Sequence, residues 1–145
     1  MNNPGHYNLG SATITAAVTD SVITEGSSVS GAAQTFIDRL EGMTSLTVWA
    51  NFDYGSGGTT CAVVIQTSLD QGQNWIDIIR FDFTTSDRKA HATVGAFAAA
   101  AVATLASLSS EGKLDSILGD RIRAKVTSTG TYAGSTNVSV RAVAR

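Results

Sequence analysis

The chain is poor in the residues that frame small secreted modules. It has one cysteine, Cys61, among 145 residues, so no disulfide can form within the chain. Proline occurs once, and charged residues make up 15%, below the usual quarter. The net charge of -2 excludes a strongly charged disordered tail and a generic polyanion binder. An apolar core must therefore hold the fold, and a domain of this length can build one.

Long hydrophobic runs are also missing. The most apolar stretch, 94–108, has 15 residues, mostly alanine with threonine and serine, whereas a bilayer span needs about 20. The N-terminus has neither the basic region nor the apolar region of a signal peptide. We therefore expect no membrane association, and a protein that stays where it is made or leaves by cell lysis.

Small residues and period-two alternation dominate what is present. Ala, Thr, Ser and Gly fill 68 of the 145 positions. Alternation of apolar and polar residues is typical of strands with one buried face. It predicts strands at 12–18, 35–40, 46–54, 61–67, 74–83, 89–94, 121–127 and 137–144. Turn residues separate these runs at intervals of about 8 to 12 residues, which favours a sandwich or barrel.

The fold class predicted from this pattern is an all-β antiparallel sandwich, jelly-roll-like, with seven or eight strands. At most one or two short helices are expected, one of them a turn at 113–119. The glycines at 55–58 predict a hairpin between strands 46–54 and 61–67. The run 96–106 is open between a helix, by alanine propensity, and a strand where sheets or subunits touch. We divide the chain into an N-terminal arm, 1–10, and a single domain, 11–145.

One motif is recognisable, the pattern Ser-x-Asp-x-Gly-x-x-Trp formed by Ser68, Asp70, Gly72 and Trp75. It resembles the Asp-box of sialidase-like and other β proteins. The Asp70 carboxylate can accept backbone N–H groups of the turn, and Gly72 can take a positive φ. The expected role is structural, because a propeller needs several four-stranded blades and this chain has one copy.

Residues that could carry chemistry are scattered along the sequence. His6 and His91 have no cysteine or carboxylate at ligand spacing, which argues against zinc. A nucleophilic Cys61 would need a histidine and an orienting partner. A glycosidase pair could be sought only among strand and loop acids, namely Asp70, Asp77, Asp82 and Asp87. We expect no catalytic residue, no cofactor and no metal, and hence no enzyme.

Charge is unevenly distributed along the chain. Residues 1–87 hold nine acidic and two basic residues, whereas residues 88–145 hold three acidic and eight basic ones. Strands of both halves can interleave and mix these charges. Alternatively, a dipolar subunit can set its basic strand against an acidic neighbour. Nucleic-acid binding through the basic strand is disfavoured because no aromatic residues interleave there.

The chain also resembles a known group of proteins over roughly residues 35–145. The matching stretches are 36–43, 54–58, 66–72, 75–77, 81–84, 119–123 and 125–134. They are similar to small all-β virion structural proteins of tailed bacteriophages and prophages. Members of that group serve as capsid decoration proteins, head fibres, or neck and tail subunits.

The resemblance implies a non-enzymatic virion protein, made in the bacterial host cytoplasm and located in the virion. We expect a homo-oligomeric capsid decoration or stabilisation protein that binds the major capsid protein or other virion subunits, without nucleic-acid or membrane partners. The expected contact residues are Asn2, Asn3, Pro4, His6, Tyr7, Arg121, Arg123 and Lys125. The alternative is a carbohydrate-binding module or subunit of a head or tail fibre or neck. Its sugar-stacking rings would be Trp49, Tyr54, Trp75 or Tyr132.

Overall fold

The computed structural model describes residues 4–23, 36–96 and 101–145, and these form antiparallel sheets without a helix. Among these residues no helix is therefore long and apolar enough to span a membrane. The strands are β1 (Gly5–Thr13), β2 (Ser21–Val22), β3 (Ser45–Asp53), β4 (Ser56–Gly57), β5 (Thr60–Ser68), β6 (Ile76–Phe83), β7 (Arg88–Gly95), β8 (Gly112–Lys113), β9 (Arg121–Thr129), β10 (Tyr132–Ala133) and β11 (Asn137–Ala144).

Two sheets make up the sandwich. The first has the strand order β1-β11-β3-β7 and the second has the order β2-β9-β5-β6-β8, while β4 and β10 form a small ribbon. Without β4, β8 and β10, eight strands remain. If these eight are renumbered 1 to 8 along the chain, their order is 1-8-3-6 in the first sheet and 2-7-4-5 in the second. This is the arrangement of a jelly roll, with two interlocked Greek keys. The predicted fold class is confirmed.

The core lies between the two sheets, on the faces that the alternation predicts. In β3 the side chains of Leu46, Val48, Ala50 and Phe52 are fully buried. In β9 and β11 every second residue is buried in the same way. Apolar residues at every second position give each strand one apolar face. Burial of these faces against each other packs the two sheets together.

The predicted hairpin between strands 46–54 and 61–67 is wrong. β3 pairs with β11 and β7, whereas β5 pairs with β6 and β9 in the other sheet. The glycine turn crosses between the sheets, and its β4 pairs with β10. Gly58 has a φ of 70°, and the ring of Tyr132 occupies the place where a Cβ would lie. The glycines therefore permit close packing of two loops.

At the N-terminus, β1 begins inside the segment interpreted as an arm. Residues 5–10 pair with β11 at the edge of the first sheet, so the boundary at residue 10 falls within a strand. The strand predicted at 12–18 ends at Thr13. A bulge between Asn8 and Gly10 shifts the register. Past the bulge, the alternation of apolar and polar residues no longer predicts which side chains face the core.

Three other local predictions also differ from the structure. The helical turn predicted at 113–119 is wrong, because Lys113 belongs to β8, which pairs with β6. Of the strand predicted at 35–40, Thr35 lies outside the described residues and Ile37 forms an isolated bridge with Ile122. In the run 96–106, residues 97–100 also lie outside them, and residues 101–106 are neither helix nor strand.

Candidate functional site

The turn between β5 and β6 is built from the Asp-box residues. The Ser68 hydroxyl donates to Asp70 Oδ1 over 2.9 Å and accepts the Gly72 N–H over 2.8 Å. Asp70 also accepts the side-chain amide and the backbone N–H of Asn74. These bonds from Asn74 hold the pKa of Asp70 below its ordinary value. The Asp70 carboxylate therefore stabilises the turn.

Trp75 follows this turn and covers the basic strand β9. The Arg123 guanidinium lies 4.2 Å from the centre of the Trp75 ring, within cation–π range. Arg123 Nε also donates to Gln66 Oε1, and Gln66 Nε2 donates to Asp77 Oδ1. The chain of bonds continues from Asp77 Oδ2 to the N–H of Leu108. All of these bonds lie within the chain, and they fix the position of the backbone at Leu108.

The other two residues of the predicted basic contact surface are also engaged within the chain. Arg121 lies over the Phe36 ring at 5.0 Å and beside Asp120. Lys125 pairs with Asp20 over 3.0 Å, and that bond lowers the pKa of Asp20. Asp20 comes from the acidic half and Lys125 from the basic half, so interleaved strands mix the charges here.

The predicted contacts near the N-terminus divide into three groups. Asn2 and Asn3 lie outside the described residues. Pro4 and His6 are exposed, and His6 points away from the core on β1. Tyr7 is 8% exposed and belongs to the core, so its side chain cannot serve as a surface contact. The neighbouring position on a strand faces the opposite side, which separates His6 from Tyr7.

Of the four rings predicted to stack on sugars, Trp49 is the most exposed. Its side chain is 39% exposed on the outer face of the first sheet. Tyr132 is buried, so that prediction is wrong, and its hydroxyl donates to the Thr84 carbonyl over 2.7 Å. Tyr54 stacks against Phe52, and the Trp75 ring carries Arg123.

We call the outward side chains around this ring the Trp49 face. In the register of the first sheet, Arg141 of β11 lies on one side of Trp49 and His91 of β7 on the other. The next positions outward are polar as well, with Thr47 and Asn51 on β3. One aromatic ring thus stands among polar and cationic groups.

A second exposed feature is an apolar segment of irregular chain, residues 101–107. All seven residues are exposed, with Val102 fully so and Leu105 at 58%. Among the described residues, none forms a backbone–backbone hydrogen bond with this segment. Arg80 Nη1 donates to the carbonyl of Leu108, which ties the end of the segment to β6. The sequence marks this stretch as apolar but gives no sign that it is exposed.

The chain following this segment is clamped to the sheet by Glu111. Its Oε1 accepts from Arg88 Nη2 over 2.9 Å, and its Oε2 accepts from the N–H of Asp82. The bond with Arg88 is the main cause that lowers the pKa of Glu111 to about 2.

Acid should remove this clamp. Because the folded pKa is below the ordinary 4.5, its stabilisation is complete above pH 4.5 and is lost as the pH falls towards 2. We expect Glu111→Gln to lower the free energy of unfolding by about 1 kcal/mol at pH 7, since water screens this half-exposed pair. Urea unfolding at pH 7 and pH 2.5 measures the difference. The difference in unfolding free energy between the two proteins should shrink at the lower pH. A difference that does not change with pH contradicts the clamp. The control is Asp53→Asn, which also replaces a carboxylate by an amide.

The remaining candidates for chemistry have separate surroundings. Burial raises the pKa of the Cys61 thiol to about 12, so it is protonated at neutral pH. Asp82 pairs with Arg80, and Asp87 accepts the N–H of Tyr54. Within the ranges 4–23, 36–96 and 101–145, no three His, Cys, Asp or Glu side chains are grouped as metal ligands.

The fold and the two exposed surfaces define an eight-stranded jelly-roll domain with an outward tryptophan and an exposed apolar segment. Comparison with protein-family models gave no match, and comparison with curated proteins gave none. Jelly rolls occur both in viral capsid proteins and in lectin domains. A fold that serves several functions leaves the surfaces to decide between them.

Proposed function

We propose that the protein is a non-enzymatic structural subunit of a bacteriophage virion, which decorates and stabilises the assembled capsid. The observation that supports this proposal is the exposed apolar segment, residues 101–107. The sequence resemblance to small phage virion proteins and the jelly-roll topology are consistent with it. The proposed partner is the major capsid protein in its assembled lattice.

The side chains of the apolar segment favour burial against another protein. Val102 and Leu105 are two of the large apolar residues that the described part of the chain exposes to water. Burying such a side chain contributes about 1.5–3 kcal/mol, a driving force that the isolated subunit leaves unused. The sequence from Ala101 to Leu108 carries no charge, so its burial removes no ionised group from water.

The backbone of the segment offers a second means of binding. Its N–H and C=O groups are unpaired within the described part of the chain, so they can pair with a strand edge of a shell subunit. The bonds from Asp77 and Arg80 to Leu108 fix one end of the segment. Fixing that end reduces the conformational entropy lost on binding.

The proposal is tested by mixing purified protein with capsid shells of the phage that encodes it. We expect the double variant Val102→Asp, Leu105→Asp to bind these shells at least ~10-fold more weakly, because docking would bury two carboxylates. The matched control is Leu69→Asp, which changes an equally apolar residue, 63% exposed, on the Asp-box turn. Cosedimentation over a concentration series measures both affinities.

The control separates a specific contact from general surface apolarity. Leu69→Asp should bind shells with the affinity of the unchanged protein, and it should melt at the same temperature as the unchanged protein. Unchanged affinity of the double variant contradicts docking through the apolar segment. Failure of the unchanged protein to bind shells at any concentration contradicts the proposed function itself.

A further inference from the structure

We propose that the Trp49 face is a binding site for acidic polysaccharides and recognises hexuronic acid residues. This site lies on the first sheet and is separate from residues 101–107, so it does not rest on the proposed capsid role. The occupant is a uronate-bearing glycan, argued from three features of the face: a stacking ring, a local excess of positive charge and under-used hydrogen-bonding groups.

The stacking ring is Trp49. Its neighbours in register, Arg141 and His91, stand on either side of it on a sheet whose strands are about 4.8 Å apart. The three side chains therefore cover a strip about 10 Å wide, the size of one or two pyranose rings. The negative face of an indole attracts the positively polarised C–H groups of a sugar ring.

The charge of the face favours an anion. The rows through Thr47, Trp49 and Asn51 across the four strands contain two cationic side chains, Arg141 and Lys89, and no outward carboxylate. The nearest acidic side chain on this face is that of Asp53 at the end of β3, which borders the site at Asn51. A positive patch on a chain of net charge -2 is a local feature, which a uronate carboxylate would complement.

The hydrogen-bonding groups of the face are only partly used. Arg141 Nη1 donates to the carbonyls of Gly10 and Val140, which holds the guanidinium in place. No described residue accepts from its Nε or Nη2, so these groups can donate to a carboxylate. The buried Oδ1 of the Asn51 amide has no hydrogen-bond partner, and its Nδ2 donates only a long bond of 3.4 Å to Asp53 Oδ2. An amide so weakly bonded can turn towards a sugar hydroxyl.

These features fit a sugar better than a protein partner. Protein-binding hot spots have a dry apolar centre, whereas the neighbours of Trp49 on this face are nearly all polar. A sugar ring can stack on an aromatic face while its hydroxyls bond to surrounding polar groups.

The test is a titration of the full chain with short oligogalacturonate, followed by calorimetry and tryptophan fluorescence. Matched ligands are the same oligomer as its methyl ester, which removes the charge, and polyglutamate, which keeps the charge without the sugar. We expect the oligogalacturonate to bind most tightly. Trp49→Ala should weaken it at least ~10-fold, while Trp49→Phe should retain most of the affinity.

Arg141→Gln distinguishes recognition of the carboxylate from stacking. It should weaken binding of the oligogalacturonate and leave binding of the methyl ester unchanged. Equal binding of polyglutamate, or affinity indifferent to Trp49→Ala, overturns the proposal, and so does the absence of binding to all three ligands. Trp49→Ala should still bind capsid shells, so failure here is distinguishable from failure of the capsid role.

Discussion

Phe52→Ala is expected to lower the free energy of unfolding by about 3–5 kcal/mol, as large-to-small changes in packed cores do. The Phe52 ring is fully buried in β3 of the first sheet. It stacks on Phe83 of the second sheet with 5.0 Å between ring centres, and it lies nearly perpendicular to the Tyr132 ring with 5.8 Å between centres. Removing it opens a cavity at the point where three aromatic rings join the two sheets.

The control for this prediction lies on the same strand. Trp49→Ala removes a larger ring from the outer face, and we expect a change of about 0.5 kcal/mol or less. Urea unfolding with a common slope gives both values. If Phe52→Ala costs less than Trp49→Ala, the assignment of the core and outer faces of β3 is incorrect.

Gly58→Ala is expected to destabilise the fold by about 3 kcal/mol or more, for two reasons that add. The residue has a φ of 70°, which a Cβ disfavours, and the Tyr132 ring fills the space that the Cβ would need. Tyr132 cannot move easily, because it is buried and its hydroxyl is bonded to Thr84. Thermal unfolding and urea unfolding both measure the loss.

Gly42→Ala separates the two causes. Gly42 also has a positive φ, 88°, but nothing lies within 4 Å of its Cβ position. It should therefore show the backbone cost alone, about 1–2 kcal/mol. In a double-mutant cycle, Gly58→Ala should cost less in a Tyr132→Ala background than in the unchanged protein, because the ring that blocks the Cβ is gone. Equal effects of Gly42→Ala and Gly58→Ala contradict close packing of the two loops.

Much of the fold can be predicted from the sequence, because alternation marks the buried face of each strand. The limits of β11 at Asn137 and Ala144 agree with the predicted ones, and β9 begins at Arg121 as predicted. Alternation contains no information about which strand pairs with which. For that reason the glycines near Gly58 predict a hairpin, although they cross between sheets and pack against Tyr132.

The surfaces were harder to predict than the strands. Trp49 falls among the polar positions of β3, so its exposure follows from the alternation. The engagement of Arg123 by Trp75 and Gln66 does not, since these residues meet only after β5, β6 and β9 have paired. The exposure of Val102 is also hidden, because an apolar residue in a charge-free run normally suggests burial.

A reconstruction of capsid shells saturated with the protein would show whether the proposed jelly-roll subunit docks through its apolar segment. We expect added density of one domain at each binding position, with residues 101–107 against the shell surface. Bare shells at saturating concentration, or bound domains with that segment turned to solvent, would contradict the proposal.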